Sequence, residues 1–183
     1  MALTKLNNAA ISPVTRAGLP AILNTDLPAG SVLQVKSTTK TDSGTLQSQT
    51  FTAVQNLSVN ITPTSASSKI FIMFDLSMTM YGLTAQARIM RDSTPVGVAA
   101  SSNNRTQTTT SHRYGETDAN HSGPKFVGQF LDSPSTTSQI TYSIQGKTQT
   151  NNVAYLNRTG NDANNNDWGQ RQVSSITVME IAN

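Results

Sequence analysis

The chain has 183 residues, of which 75 are Thr, Ser, Asn or Gln and only 13% are charged. Charged side chains make up roughly a quarter of an ordinary globular domain, so this surface relies on hydroxyls and amides for its hydration. Thirteen basic against ten acidic residues give a formal charge of +3, and the basic ones are scattered singly from Lys5 to Arg171.

These numbers narrow the field. Helices carry their wet faces on Lys, Glu, Arg and Ala, whereas Thr, Ser and Asn favour strands, caps and turns, which disfavours a mostly helical fold. Hydrophobic residues at 36% suffice for a core, so the chain is not expected to be disordered. The absence of a basic stripe interleaved with aromatics argues against a nucleic-acid partner. With no cysteine, a disulfide framework, a Cys-type zinc site and a cysteine nucleophile all fall away. No run approaches the ~18 apolar residues of a membrane span. Met1 to Lys5 also lacks an apolar signal-peptide segment. The expectation is synthesis in a cytoplasm, without membrane insertion.

Residues 1–30 stand apart. Their apolar side chains follow no period, and Pro13, Pro20 and Pro28 prevent a long helix or a central strand. Such a segment is either a loose tail or an extended arm ordered against another protein. As an arm it docks through Leu3, Leu6, Ile11, Leu19, Ile22 and Leu23.

From Ser31 onward the pattern becomes strand, turn, strand. The clearest run is Lys69 to Tyr81, where Ile70, Ile72, Phe74, Leu76, Met78 and Met80 fall on one face. Strict alternation over a dozen residues is a strand signature. Each of those side chains contributes roughly 1.5–3 kcal/mol on burial, while ordering the backbone costs about 1–2 kcal/mol per residue. The strand therefore needs a larger assembly around it.

Further strands are expected at Ser31–Ser37, Thr50–Val54, Leu57–Thr62, Ala85–Arg91, Val96–Ala99, Lys125–Leu131, Gln139–Gln145, Val153–Asn157 and Ser174–Ile181. Between them lie turn signals such as Asp42-Ser43-Gly44, Asp92-Ser93-Thr94-Pro95 and Asp132-Ser133-Pro134. Short strands at this spacing, without amphipathic helices, predict an all-β domain over 31–183. Its expected architecture is an antiparallel, jelly-roll-like β-sandwich. Two long polar stretches interrupt it, Ser101–Pro124 and Arg158–Gln170.

Little in the chain points to catalysis. No Gly-x-Ser-x-Gly elbow or phosphate-binding glycine motif occurs, and ten acids scattered among turns leave a glycosidase-type carboxylate pair open but without support. His112 and His121 lie near Glu116 and Asp118, but at no recognised metal-ligand spacing. The expectation is a non-enzyme with no metal and no cofactor. The polar stretches instead offer binding chemistry. Trp168 follows Asn164-Asn165-Asn166-Asp167, and sugars are held by ring stacking together with amide and carboxylate hydrogen bonds. Arg113, Tyr114 and Glu116 offer the same mix in the other stretch. Arg113, Tyr114, Glu116, Asp167 and Trp168 are thus the candidate host-surface or glycan contacts. The competing reading is that Trp168 plugs one end of the sandwich or packs at a subunit contact.

The order of these segments resembles a β-sandwich module of marine and cyanobacterial tailed phages, of the kind described as tail-fibre-like or virion structural. The resemblance is carried by Gly30-Ser31-Val32-Leu33-Gln34-Val35, Ile61-Thr62-Pro63, Ser67-Ser68-Lys69-Ile70 and Arg91-Asp92-Ser93-Thr94-Pro95-Val96-Gly97. It continues through Phe130-Leu131-Asp132-Ser133-Pro134, Tyr155-Leu156-Asn157-Arg158 and Ser174 to Ile181. It covers about five-sixths of the chain and supplies no catalytic residues. What it implies is a virion surface component, commonly a homotrimer, and no particular receptor. The expected partners are other phage virion proteins of the tail or capsid, with a host surface glycan as the partner that the polar loops offer. The chain departs from longer fibres in having no shaft or heptads. A capsid decoration protein is therefore the alternative, and a free carbohydrate-binding module a lesser one.

Overall fold

A computed structural model describes residues 26–80, 84–113, 125–150, 152–164 and 169–183. Eleven strands appear among them: β1 Val32–Lys40, β2 Gly44–Leu46, β3 Thr52–Ile61, β4 Lys69–Met80, β5 Thr84–Arg91, β6 Thr94–Val96, β7 Thr110–Arg113, β8 Lys125–Asp132, β9 Ile140–Thr148, β10 Ala154–Leu156 and β11 Ser174–Ile181. Every pairing is antiparallel. One sheet runs β1-β11-β4-β10-β2, with β8 also on β4, and the other runs β3-β9-β5-β6, with β7 also on β5. The chain is an antiparallel β-sandwich, jelly-roll-like, as its alternation predicts.

Strand β4 organises the core. Ile70, Ile72, Phe74, Leu76, Met78 and Met80 are all buried. They meet Ile176 and Val178 of β11 on their own sheet and Leu57, Val59, Ile61, Ile89 and Ile144 of the facing one. The inward faces of two sheets supply one dry layer, which neither sheet forms alone.

Several local predictions shift. The expected strands Thr50–Val54 and Leu57–Thr62 are one strand, β3. Val54 and Leu57 are both buried although their spacing breaks a two-residue period. An irregularity between Ala53 and Ser58 takes up the extra residue, with Asn56 at φ 60°. Asn tolerates that left-handed conformation because its short amide bonds locally. The turn read as Asp92 to Pro95 is shorter, because Arg91 already pairs with Thr94. Pro95 lies in β6 at the edge of its sheet, where a missing N–H costs no ladder bond. Strands β2 and β7 occupy stretches that read as turn and loop.

Two glycines are fixed by contact. A β-carbon on Gly97 (φ +60°) would stand 2.7 Å from Phe130 Cγ, and one on Gly128 would stand 2.5 Å from Phe74 Cε1. Both glycines make room for an aromatic ring that seals the β4–β8 side of the core.

Candidate functional site: the loop end of the sandwich

The strand registers sort the connections into two ends. At one end lie the start of β1 and the residues after β11, where Gly30 N donates to Ala182 O at 2.8 Å and Ala182 N to Ser31 O at 2.9 Å. The loop between β3 and β4, the Asp92-Ser93 hairpin and the connection from β8 to β9 share that end. At the opposite end Thr84 pairs with Arg113, Ser77 with Lys125, Ala85 with Thr148 and Ala154 with Met80. The Ser101 side of the first polar stretch joins midway along the β5 edge, where Ala99 N donates to Thr108 O at 3.3 Å and Thr109 N to Ala87 O at 3.0 Å. Its bases at Arg113 and Lys125, and those of the second stretch, lie at the end remote from the start of β1.

Their bases are fastened together. Lys125, where the first stretch re-enters the sheet, donates from Nζ to the Val173 carbonyl at 3.1 Å and to Asp75 Oδ1 at 2.5 Å. Val173 closes the second stretch. Arg158 and Arg171 form an isolated bridge across that stretch, and Asp162 takes ion pairs from both guanidinium groups, the Arg158 contact at 3.4 Å. The Arg171 hydrogen bond lowers the Asp162 carboxyl below its ordinary range, against an opposing effect of partial desolvation. Arg158 also lies 4.5 Å over the Tyr155 ring.

Beside the base of the second stretch is a buried polar hub. Asn157, at φ 56° and fully buried, donates from Nδ2 to the carbonyls of Lys40 and Asp42 at 2.9 and 3.0 Å. Its Oδ1 accepts from Ser174 Oγ at 2.6 Å, and Ser174 Oγ in turn accepts from Ser77 N at 2.9 Å. Ser77 Oγ bonds the side chain of Gln172. The hub gives the loop end a rigid floor made from four neighbouring chain segments.

Of the predicted contact residues, Arg113 is described: it is exposed, ends β7 and sits opposite Thr84. Tyr114, Glu116, Asp167 and Trp168 lie outside the described residues, as do the arm residues Leu3, Leu6, Ile11, Leu19, Ile22 and Leu23. His112 does not act as an isolated loop residue: its ring meets Phe126 edge-on at 5.0 Å. No group of three or more His, Cys, Asp or Glu capable of holding a metal occurs among the described residues.

One surface cluster escapes sequence reasoning. On the outer face of the second sheet, Arg88 lies 4.0 Å over the Phe51 ring and Lys147 lies 5.9 Å from the same ring. Arg88 also donates twice to Gln145 Oε1, at 3.0 and 2.7 Å. Partial burial lowers the Arg88 pKa from its ordinary value. Only the β3–β9–β5 register brings these residues together.

The arm end has its own buried carboxylate. Glu180 accepts from Gln34 Nε2 at 2.6 Å and from Thr64 N and Oγ1 at 2.7 and 2.8 Å. Burial raises its pKa, but these hydrogen bonds and one from Ser68 outweigh it, and the net shift is downward. Nearby, Asp132 takes both oxygens to Arg91 Nη1 at 2.9 Å and accepts from Tyr142 Oη at 2.7 Å. Burial first, then that hydrogen bond and the Asp132 charge, hold the Tyr142 proton far above the ordinary tyrosine range.

No protein-family model matches the chain, and none of the curated proteins is similar to it. Among solved structures it is similar to particles of infectious bursal disease virus. The T=1 particle derived from infectious bursal virus aligns at 15% identity with a TM-score of 0.38, over 90% of this chain and 41% of that one. The VP2 subviral particle aligns at 15% identity with a TM-score of 0.36, over 90% and 42% respectively. The Gx strain structure gives 16% and 0.29. The chain spans about two-fifths of the length of these proteins.

Proposed function

We propose that the chain is a non-catalytic structural protein of a tailed-phage virion, part of a tail fibre or similar appendage. Residues 1–30 dock onto other virion proteins, the sandwich assembles as a homotrimer, and the polar loops face the host surface. The observation that carries this reading is the opposition of the two ends. Gly30, at the start of the sandwich, lies beside Ala182, whereas Arg113, Lys125 and Val173, at bases of the two long polar stretches, lie at the far end of the same strands. A docking segment and a contact surface separated by the full length of a sandwich is what an outward-facing virion subunit requires.

The residue pattern shared with phage sandwich modules supports the same reading. So does a loop end built on Ser, Thr, Asn and Gln, whose hydration depends little on ionic strength. Deleting residues 1–28 tests it: the truncated protein is expected to fold and to be missing from assembled particles. Incorporation at the normal level would overturn the docking role. A capsid decoration protein, with arm and sandwich base clamping shell subunits, predicts the same loss, and the two are told apart by position on the particle.

A further inference from the structure

The outer face of the second sheet carries charge of one sign. Strands β3, β5, β6, β7 and β9 contain no Asp or Glu. Register sets Arg113 beside Thr84 at the loop end, then Ser111, Gln86 and Lys147 in one row, then Arg88 and Gln145 in the next. The Phe51 ring lies against both Arg88 and Lys147. Among the described residues, Arg88, Lys147 and Arg113 take part in no ion pair. Carboxylates near the margins are already engaged. Asp42, beside Asn56 of β3, holds Lys40 at 2.6 Å, and Asp92, in the hairpin at the other end, accepts from Thr141 N at 2.9 Å.

Polar groups on this face also lack partners. Arg88 gives Nε and Nη2 to Gln145 Oε1, which leaves the Nη1 hydrogens without an acceptor among the described residues. Gln86 Oε1, in the row of Lys147, has no hydrogen-bond donor among them. Stacking on Phe51 holds the Arg88 guanidinium in place before any ligand arrives, which lowers the entropy cost of binding.

We infer that this face binds an acidic glycan, a sugar chain bearing carboxylate or sulfate groups. Charge selects an anion, since Lys147 and the free edge of Arg88 meet no carboxylate among the described residues. The Gln86 oxygen selects a ligand that also donates. Sugar hydroxyls both donate and accept, as do Ser111 and Thr84, and a turn of the Gln86 side chain toward one gives its oxygen a donor. Other anions fit worse. Single-stranded nucleic acid needs a succession of rings for its bases, and Phe51, with Arg88 over it, is the one aromatic ring on this face among the described residues. A protein partner needs apolar anchors, and none of the large exposed hydrophobic residues lies on this sheet. Through Arg113 the face continues the loop end along one side of the sandwich. The inference goes beyond the proposed virion role and takes from it only the source of the glycan, a host surface.

Isothermal titration calorimetry of the full chain at low salt tests it. The probes are oligogalacturonate, a sulfated oligosaccharide, a neutral oligoglucan, polyglutamate and a single-stranded oligonucleotide. At least one acidic saccharide is expected to bind, with affinity falling as salt rises, and which one binds tells carboxylate from sulfate recognition. The neutral sugar is expected not to bind. Arg88→Gln/Lys147→Gln is expected to lose about tenfold in affinity, and Lys147→Gln alone about threefold, the scale of exposed charge pairs. Lys147→Gln leaves the Arg88–Phe51 stack in place, so its thermal unfolding is expected to match the wild type. Lys36→Gln/Lys69→Gln removes the same charge from the first sheet and is expected to bind normally. Failure of both acidic saccharides to bind, tighter binding of polyglutamate or the oligonucleotide, or equal losses in the two double variants would each overturn the inference. A chain on the tail that binds no acidic glycan would sink it and leave the virion role standing; glycan binding by a chain absent from particles would do the reverse.

Discussion

Ser174 Oγ donates to Asn157 Oδ1 at 2.6 Å in a fully buried pair, and through it the start of β11 is tied to the end of β10. The same asparagine amide holds the Lys40 and Asp42 carbonyls, so one side chain joins the end of β1, the end of β10 and the start of β11. Asn157→Ala leaves those two carbonyls and the serine hydroxyl without their partner. The expected loss is about 2–3 kcal/mol, the range for stranded buried polar groups, read from denaturant unfolding. A loss near zero would mean that the hub contributes nothing to the fold.

Phe74 tests the core. It is 4% exposed and its ring fills the space left open by Gly128. Phe74→Ala is expected to cost roughly 3–5 kcal/mol, and a change below about 1 kcal/mol, the size typical of exposed sites, would put the wrong face of β4 inside. Gly128→Ala alone is also expected to destabilise, because its new methyl group meets the Phe74 ring edge. Combined with Phe74→Leu it should cost less than the two single changes together, with a coupling of about 1 kcal/mol.

Much of this architecture is legible in the sequence. The alternation of β4 and of β11 reads directly, because one side of each strand is dry and uniformly apolar. Strand β7 does not read, since Thr110, Ser111, His112 and Arg113 are half-buried or exposed in turn and none is a core aliphatic. Strand β2 hides behind Asp42-Ser43-Gly44 because Leu46 is its one buried side chain. An apolar row on the outer face of the first sheet hides for the opposite reason. Phe71 and Met73 are visible as the second side of β4, but Val35, Met179 and Leu131 join them only through pairing. Of the candidate contact site, the two polar stretches are visible in the sequence, and the strand registers add that Arg113, Lys125 and Val173 at their bases share one end.

Glu180 sets an acid limit. Its carboxyl is shifted down in the folded chain, so it stabilises the fold fully above its unfolded pKa of about 4.3, and that contribution fades as pH falls through the lower folded value. Glu180→Gln is expected to destabilise at neutral pH by roughly 1–3 kcal/mol. It should also flatten the loss of stability between about pH 5 and 3. A variant whose unfolding free energy falls with acid as steeply as the wild type would show that this group does not govern the limb.

For host contact, Arg113→Ala and Tyr114→Ala are expected to lower adsorption while thermal unfolding stays nearly unchanged, since loop tips add little to a core. Trp168→Ala separates two roles. An exposed stacking platform loses adsorption at constant melting temperature, whereas an end plug loses melting temperature at constant adsorption per folded particle. The plug is the expected outcome for Trp168. Adsorption untouched by all three substitutions would count against the host-contact role and favour the decoration reading.

The most direct test of the central claim is electron cryotomography of intact particles carrying a small epitope inserted in the exposed segment at Asn103-Asn104 and marked with a labelled antibody fragment. Label is expected on a tail appendage. Label spread over the head lattice, or particles without label, would contradict it.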